Sequence, residues 1–238
     1  MLRTALPRFV LPLALAASSA LANAAPSQIE TVYDLYRNGL KLGQVIDRMT
    51  VDKQRYTLTS ESRVSGALRI LWSGTVRLES TGDISPAGLR PIRFTSRRSD
   101  KPRNDALATF DWNSRSVSFS YRGETRSETG LTAGAQDQLS QVYQFAYMKS
   151  LPDKLAFQLV NGRETLDYRY LARPGESFDT PLGKLATRHY ERVGQRANEK
   201  RVDVWIAPAK YNLPVRVIVV DDEGVTMEQQ LVSARVKD

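Results

Sequence analysis

The chain has 238 residues, 34 of them basic and 26 acidic, for a net charge of +8, with one histidine and no cysteine. The missing cysteine excludes disulfides, a lipid-modified N-terminal cysteine and any thiol chemistry. A chain of this length makes one large domain or two small ones and buries about 70% of its unfolded surface, so it needs no metal or disulfide staple.

Arg3 and Arg8 precede an apolar run from Phe9 to Ala17, and Ala20-Leu21-Ala22 and Ala22-Asn23-Ala24 both fit the small-x-small rule of signal peptidase. A membrane anchor needs about 20 apolar residues, and this run is shorter. The pattern predicts a cleaved signal peptide over residues 1–24 and a periplasmic mature domain over 25–238. Removing Arg3 and Arg8 leaves 32 basic residues against 26 acidic ones, a net charge of +6. That excess favours anionic partners such as lipid phosphates, whereas nucleic acid is not expected outside the cytoplasm.

The mature chain begins as strand. Ile29, Thr31, Tyr33 and Leu35 share one face, and Asn38-Gly39 supplies a hairpin turn. Tyr56, Leu58, Ser60, Ser62 and Val64 then alternate with Thr57, Thr59, Glu61 and Arg63. Val76, Leu78, Ser80 and Ile84 repeat the pattern, as do Ala106, Ala108, Phe110 and Trp112, followed by Val117, Phe119 and Tyr121. Such period-two runs belong to antiparallel strands with one buried face. Ala67 to Trp72 carries a weak helical signal between two strands. A stronger one covers residues 136–149, where Leu139, Val142, Tyr143 and Ala146 recur at steps of three and four.

Beyond it, Leu155, Phe157 and Leu159 lead to Asn161-Gly162, a second hairpin signal, and Leu166, Tyr168 and Tyr170 make the next apolar face. Strands follow to Val193, from Val202 to Ile206, from Leu213 to Val220 and, after the Asp221–Gly224 turn, to Val236. No linker divides the chain, so one all-β domain of ten to twelve strands is expected. A sheet that wide curls into a half-barrel or a nearly closed barrel, because twist accumulates and open edges are a liability. The 136–149 helix would bury its apolar face on the concave side as a plug or lid, with Asp137, Leu139, Val142 and Tyr143 at the contact.

Chemistry is sparse. There is no G-x-S-x-G and no S-x-x-K motif, and His189, the one histidine, lies in a strand pattern with no partner motif beside it. One histidine and no cysteine make a poor metal set, and no cofactor is implied. A carboxylate pair for glycoside hydrolysis is a matter of space rather than sequence, and nothing singles one out. Asp137 suits the first turn of a helix, where it accepts orphan backbone N–H groups; a place in a site between helix and sheet is the alternative. Arg97, Arg98, Lys101 and Arg103 form a basic loop that reads either as a solvated hairpin tip or as a contact for anionic headgroups. Ser60, Ser62 and Ser80, with Gly82 and Thr187, take inward positions where a packed core prefers larger apolar residues. They leave either room for the helix or a cavity bounded by Tyr56, Leu58, Leu78, Phe110 and Trp112.

Several stretches resemble one family. "YDLYRNGLKLGQ" (Tyr33 to Gln44), "ISPAGLRPIRF" (Ile84 to Phe94), "FDW" (Phe110 to Trp112), "QDQLSQVYQ" (Gln136 to Gln144), "TPLGKLATRHYER" (Thr180 to Arg192) and "VWIAPAKYNLPVRV" (Val204 to Val217) are similar to signatures of the exported bacterial domain-of-unknown-function family 3108. The resemblance implies a periplasmic β-rich domain and brings no catalytic residues. A curved sheet around a helix is also similar to the half-barrels that carry lipoproteins across the periplasm.

The expectation is therefore a non-enzymatic module for an apolar or amphiphilic envelope molecule, of lipid or lipoprotein type, or for an envelope protein. The alternatives are a hydrolase of envelope polymers and a scaffold that pairs with proteins through a strand edge.

Overall fold

The computed structural model describes residues 26–64, 74–85, 87–194, 196 and 198–237. The expected signal peptide and the helical signal of Ala67 to Trp72 lie outside the described residues.

The first half is a meander in which each strand pairs with the next. It comprises β1 (Gln28–Arg37), β2 (Leu40–Asp52), β3 (Arg55–Val64), β4 (Val76–Ser85), β5 (Gly88–Arg98), β6 (Ala106–Asp111), β7 (Ser116–Tyr121) and β8 (Glu124–Thr129). Asn38 and Gly39 both have positive φ, 48° and 79°, as the tight β1–β2 hairpin requires. Burial alternates along β1 and β2, so Tyr33, Val45 and Met49 turn inward while Asp34 and Lys41 form an ion pair outside at 2.6 Å.

The second half consists of β10 (Lys154–Val160), β11 (Thr165–Arg173), β14 (Arg188–Arg192), β15 (Arg201–Ala207), β16 (Leu213–Val220) and β17 (Thr226–Lys237). β17 returns to pair with β1, with Tyr33 opposite Leu231, and so joins the halves into one 15-stranded sheet. β12 (Ser177–Thr180) and β13 (Gly183–Ala186) form a separate ribbon over the outer face of β15, where Phe178 meets Trp205 edge-on at 6.1 Å. β15 is buried on both faces as a result.

Bulges at Val32/Tyr33, Leu35/Tyr36, Thr81/Gly82 and Trp205/Ile206 add bend to the twist, and the sheet curls around its apolar face. It is not closed by strand pairing, since β8 and β9 (Gln136–Asp137) are the two ends of the strand order. Side chains bridge the gap instead. Arg126 donates to the carbonyl of Arg163, and the Arg163 guanidinium lies 4.4 Å from the centre of the Tyr121 ring. Thr132 donates its backbone N–H to Gln158 at 2.8 Å.

Two sequence expectations need correction. The described residues hold seventeen strands, not ten to twelve. Four of the strands are short or exposed on both faces: β9 has two residues, β12 and β13 four each, and β8 shows almost no burial. None of these carries an apolar alternation. The 136–149 helix is also mostly absent. Gln136 and Asp137 pair in parallel with Leu159 and Val160, and only Ser140–Tyr143 is α-helical (α1), followed by a 3-10 turn over Gln144–Tyr147.

The segment is nevertheless a plug. Leu139, Tyr143 and Tyr147 join the core under β2 to β7, while Phe145, fully buried, packs on the side of β10 to β15 and meets the Tyr190 ring at 4.7 Å.

Candidate functional site

Two carboxylates are sealed inside the curve of the sheet, and they are held differently. Asp137 ends β9 just before α1. Its Oδ1 accepts the backbone N–H groups of Leu139 at 2.8 Å and Ser140 at 2.9 Å, and Ser140 Oγ accepts the N–H of Asp137 at 2.8 Å. Its Oδ2 accepts the hydroxyl of Ser80, which in turn accepts from Tyr56 at 3.0 Å. Asp137 thus accepts backbone N–H groups as the sequence suggested, but from the end of β9 ahead of α1 rather than from within the first turn of a helix. Burial pushes its carboxyl up to about 6, against the opposing pull of the Ser140, Ser80 and Leu139 hydrogen bonds.

Asp47 stands on β2 in step with Val45 and Met49, opposite Ser60 of β3. Its Oδ2 accepts the Tyr143 hydroxyl at 2.7 Å, and that hydroxyl accepts from Thr31 at 2.7 Å. Tyr33 lies 3.3 Å from the same oxygen and donates to the Pro214 carbonyl at 3.0 Å. Burial pushes the Asp47 carboxyl up to about 6, opposed by the Ser60 and Tyr143 hydroxyls. The Ser60 hydroxyl is near enough to favour the charged form, yet Asp47 Oδ1 has no hydrogen-bond partner although it is buried.

A cavity of about 190 Å³ borders Asp47. Its wall is apolar, built from Leu78, Leu139, Val142, Leu159, Val202, Val217 and Val219, and Tyr168 and Gln141 complete it. Asp47 and Ser60 are buried at its floor, while Lys200 is the exposed residue of the lining, which places the mouth beside it. Apart from Lys200, which precedes β15, these residues come from eight strands and the plug, so the cavity lies within the curve of the sheet.

The sequence-derived candidates divide on inspection. Ser60, Leu78, Leu139 and Val142 line the cavity. Tyr56, Leu58 and Phe110 are buried in the packed core, and Ser80 makes room for Asp137 rather than for a ligand. Ser62, half-buried, donates to the Val76 carbonyl at 3.4 Å. Trp112 lies at a separate open groove of about 730 Å³, with the Arg90 guanidinium 4.8 Å from its ring centre and its indole N–H on the Pro91 carbonyl at 2.7 Å. Arg97, Lys101 and Arg103 are exposed at the β5–β6 turn, and Arg98 pairs with Asp100 at 3.6 Å. None of these four lines the cavity.

His189 stacks flat on Trp205 at 4.2 Å and bonds Asp203 at 2.9 Å on the side of β15 away from Val202 and Val204. Among the described residues no three His, Asp or Glu side chains converge to hold a metal ion, and no helix is long and apolar enough to cross a membrane. Sequence reading missed Asp47, Gln141, Tyr168 and Lys200. Asp47 was legible in principle, being a carboxylate at an inward position between Val45 and Met49.

Residues 32–230 match the family described as "Protein of unknown function (DUF3108)". The chain belongs to that family. A comparison with curated proteins finds no match. Among solved structures, the chain is similar to a β-barrel-like protein of DUF1849 from Brucella abortus, with a TM-score of 0.59 and 10% identity over 90% of this chain and 100% of the other. At that identity the likeness concerns the fold alone. A DUF1329 family protein from Desulfovibrio piger aligns over 90% of this chain and 87% of its own, at 13% identity and a TM-score of 0.24, too low to carry an argument.

Proposed function

We propose that this DUF3108 chain is an exported, periplasmic, non-enzymatic module that binds an apolar or amphiphilic envelope molecule in the cavity of its curved sheet. The observation that carries the reading is the cavity itself, an apolar wall with one buried polar floor and a polar mouth. Its 190 Å³ is below the roughly 300–1,000 Å³ that enclose a drug-sized ligand, so it suits a head group with the start of a chain rather than a whole lipid. The signal-peptide pattern and the surplus of basic residues support an envelope setting.

A hydrolase is the second reading, because burial raises both lumen carboxyls into the range of a general acid. Asp137, however, is occupied by its own helix turn and Ser80, which leaves Asp47 alone at the void. Glycoside hydrolysis needs two such groups. Mass spectrometry of protein purified gently from the periplasm tests the binding reading. A co-purifying amphiphile in the wild type that is missing from a Ser60→Leu/Val217→Phe variant is the expected result. Identical small-molecule content in the two proteins contradicts it.

A further inference from the structure

Asp47 is only 5% exposed, yet it lines the cavity, and its buried Oδ1 has no hydrogen-bond partner among the described residues. Its described partners are hydroxyls, and among the described residues no ion pair reaches it. Half-buried acids elsewhere on the sheet are treated differently. Glu30 pairs with Arg48 and Arg235, Asp34 with Lys41, and Glu228 with Arg216. Asp47, the buried acid at the cavity, has no countercharge among the described residues, and a buried carboxylate left so is costly. A cation that donates hydrogen bonds would satisfy both the free oxygen and the charge.

We infer that the molecule taken up by the cavity carries an ammonium group, which docks on the Asp47 carboxylate at the floor while its apolar part runs along Val202, Val217 and Val219 to the mouth. This rests on the cavity being a binding site and narrows the ligand to an amine-bearing amphiphile. Lys200 at the mouth opposes a second cation there, so an ammonium gains only by reaching the floor. A carboxylate or phosphate head at the floor would instead face Asp47 with like charge.

The titratable groups facing Asp47 are Tyr143 and Tyr33, both kept neutral because burial pushes their hydroxyls well above the usual range, and, within the cavity, Tyr168 and Lys200. Tyr168 is likewise raised by burial, with the Arg192 guanidinium 3.7 Å from its ring centre. Burial pushes both Asp47 and Asp137 up to about 6, and of the two only Asp47 lines the cavity.

Octylamine and octanol share one chain and differ in the head, and the alkylammonium stays charged below about pH 10. Titration calorimetry of the mature protein with each, at pH 7.5 and pH 5, measures the head-group preference. At pH 7.5 octylamine is expected to bind about tenfold tighter or more. At pH 5, where Asp47 is protonated, and in Asp47→Asn at either pH, the ratio should fall close to one. The wild-type pH comparison needs no variant and stands even if Asp47→Asn folds poorly. Equal binding of the two compounds at pH 7.5 overturns the ammonium inference and leaves the cavity reading in place. A preference that survives in Asp47→Asn places the amine elsewhere and also overturns it. Binding of neither compound removes the cavity reading, and the inference with it.

Discussion

Asp47 and Asp137 give the folded chain a titration that its surface pairs do not. Both carboxyls rise to about 6 on burial from an ordinary value of 3.8, so the folded state holds their protons more tightly than the unfolded state does. The stabilisation from a group of this kind is complete below pH 3.8 and is lost as pH rises through about 6. Glu61, drawn down chiefly by its hydrogen bond to Arg63, acts in the opposite sense at lower pH. Replacing Asp47 by Asn removes one titrating group and keeps its shape. Between about pH 4.5 and 7, wild-type stability in urea should fall by about 1–3 kcal/mol more than that of Asp47→Asn. Parallel pH profiles would show that Asp47 is solvated in the folded protein. Sequence pattern made Asp137 legible because a helix start prefers Asp, whereas Asp47 sat unremarked inside a clean alternation. Only the partner strand and plug reveal that its face is closed.

The plug between β8 and β10 shows where local pattern loses to its surroundings. Its 3.6-residue apolar spacing is real, but an amphipathic helix needs one wet face, and this segment has none. Gln136, Gln141 and Gln144 are buried and bond internally: Gln136 donates to the Leu89 carbonyl, although its Oε1 has no partner, Gln144 donates to the Gln141 carbonyl, and Tyr170 donates to Gln141. Pairing of Gln136 and Asp137 with β10 keeps the start extended, and Asn212 binds the Phe145 carbonyl at 3.0 Å where the helix would have continued. The interior position is tested by truncation. Phe145→Ala should cost about 3–5 kcal/mol, and Leu139→Ala, already beside a void, about 2–3. A segment lying on the surface would lose no more than about 0.5 kcal/mol at either residue.

Across the whole molecule, the long strands were legible because a curved sheet with one buried face imposes period two on every strand that lines it. Tyr56, Leu58 and Ser60 on β3, or Ala106, Ala108 and Phe110 on β6, follow that rule. β8 does not, since it lies at an end of the strand order with both faces exposed, and β12 and β13 do not, since they form a ribbon over the outside of the sheet. The cavity was half legible. Inward serines mark a place where apolar packing is relaxed, but Ser60 borders a void whereas Ser80 holds Asp137, and sequence alone gives the two the same appearance.

The central claim is that the curve of the sheet encloses a binding site between plug and wall. Equilibrium titration of the protein with a fluorescent single-chain lipid probe, wild type against Ser60→Leu/Val217→Phe, tests it most directly. Each methylene taken from water contributes about 0.8 kcal/mol, so even partial insertion of the chain supports micromolar affinity after ordering costs. The account predicts saturable, one-to-one binding by the wild type and at least tenfold weaker binding by a variant that still unfolds cooperatively. A wild type that takes up no probe, or a filled variant that binds it as tightly, would contradict it.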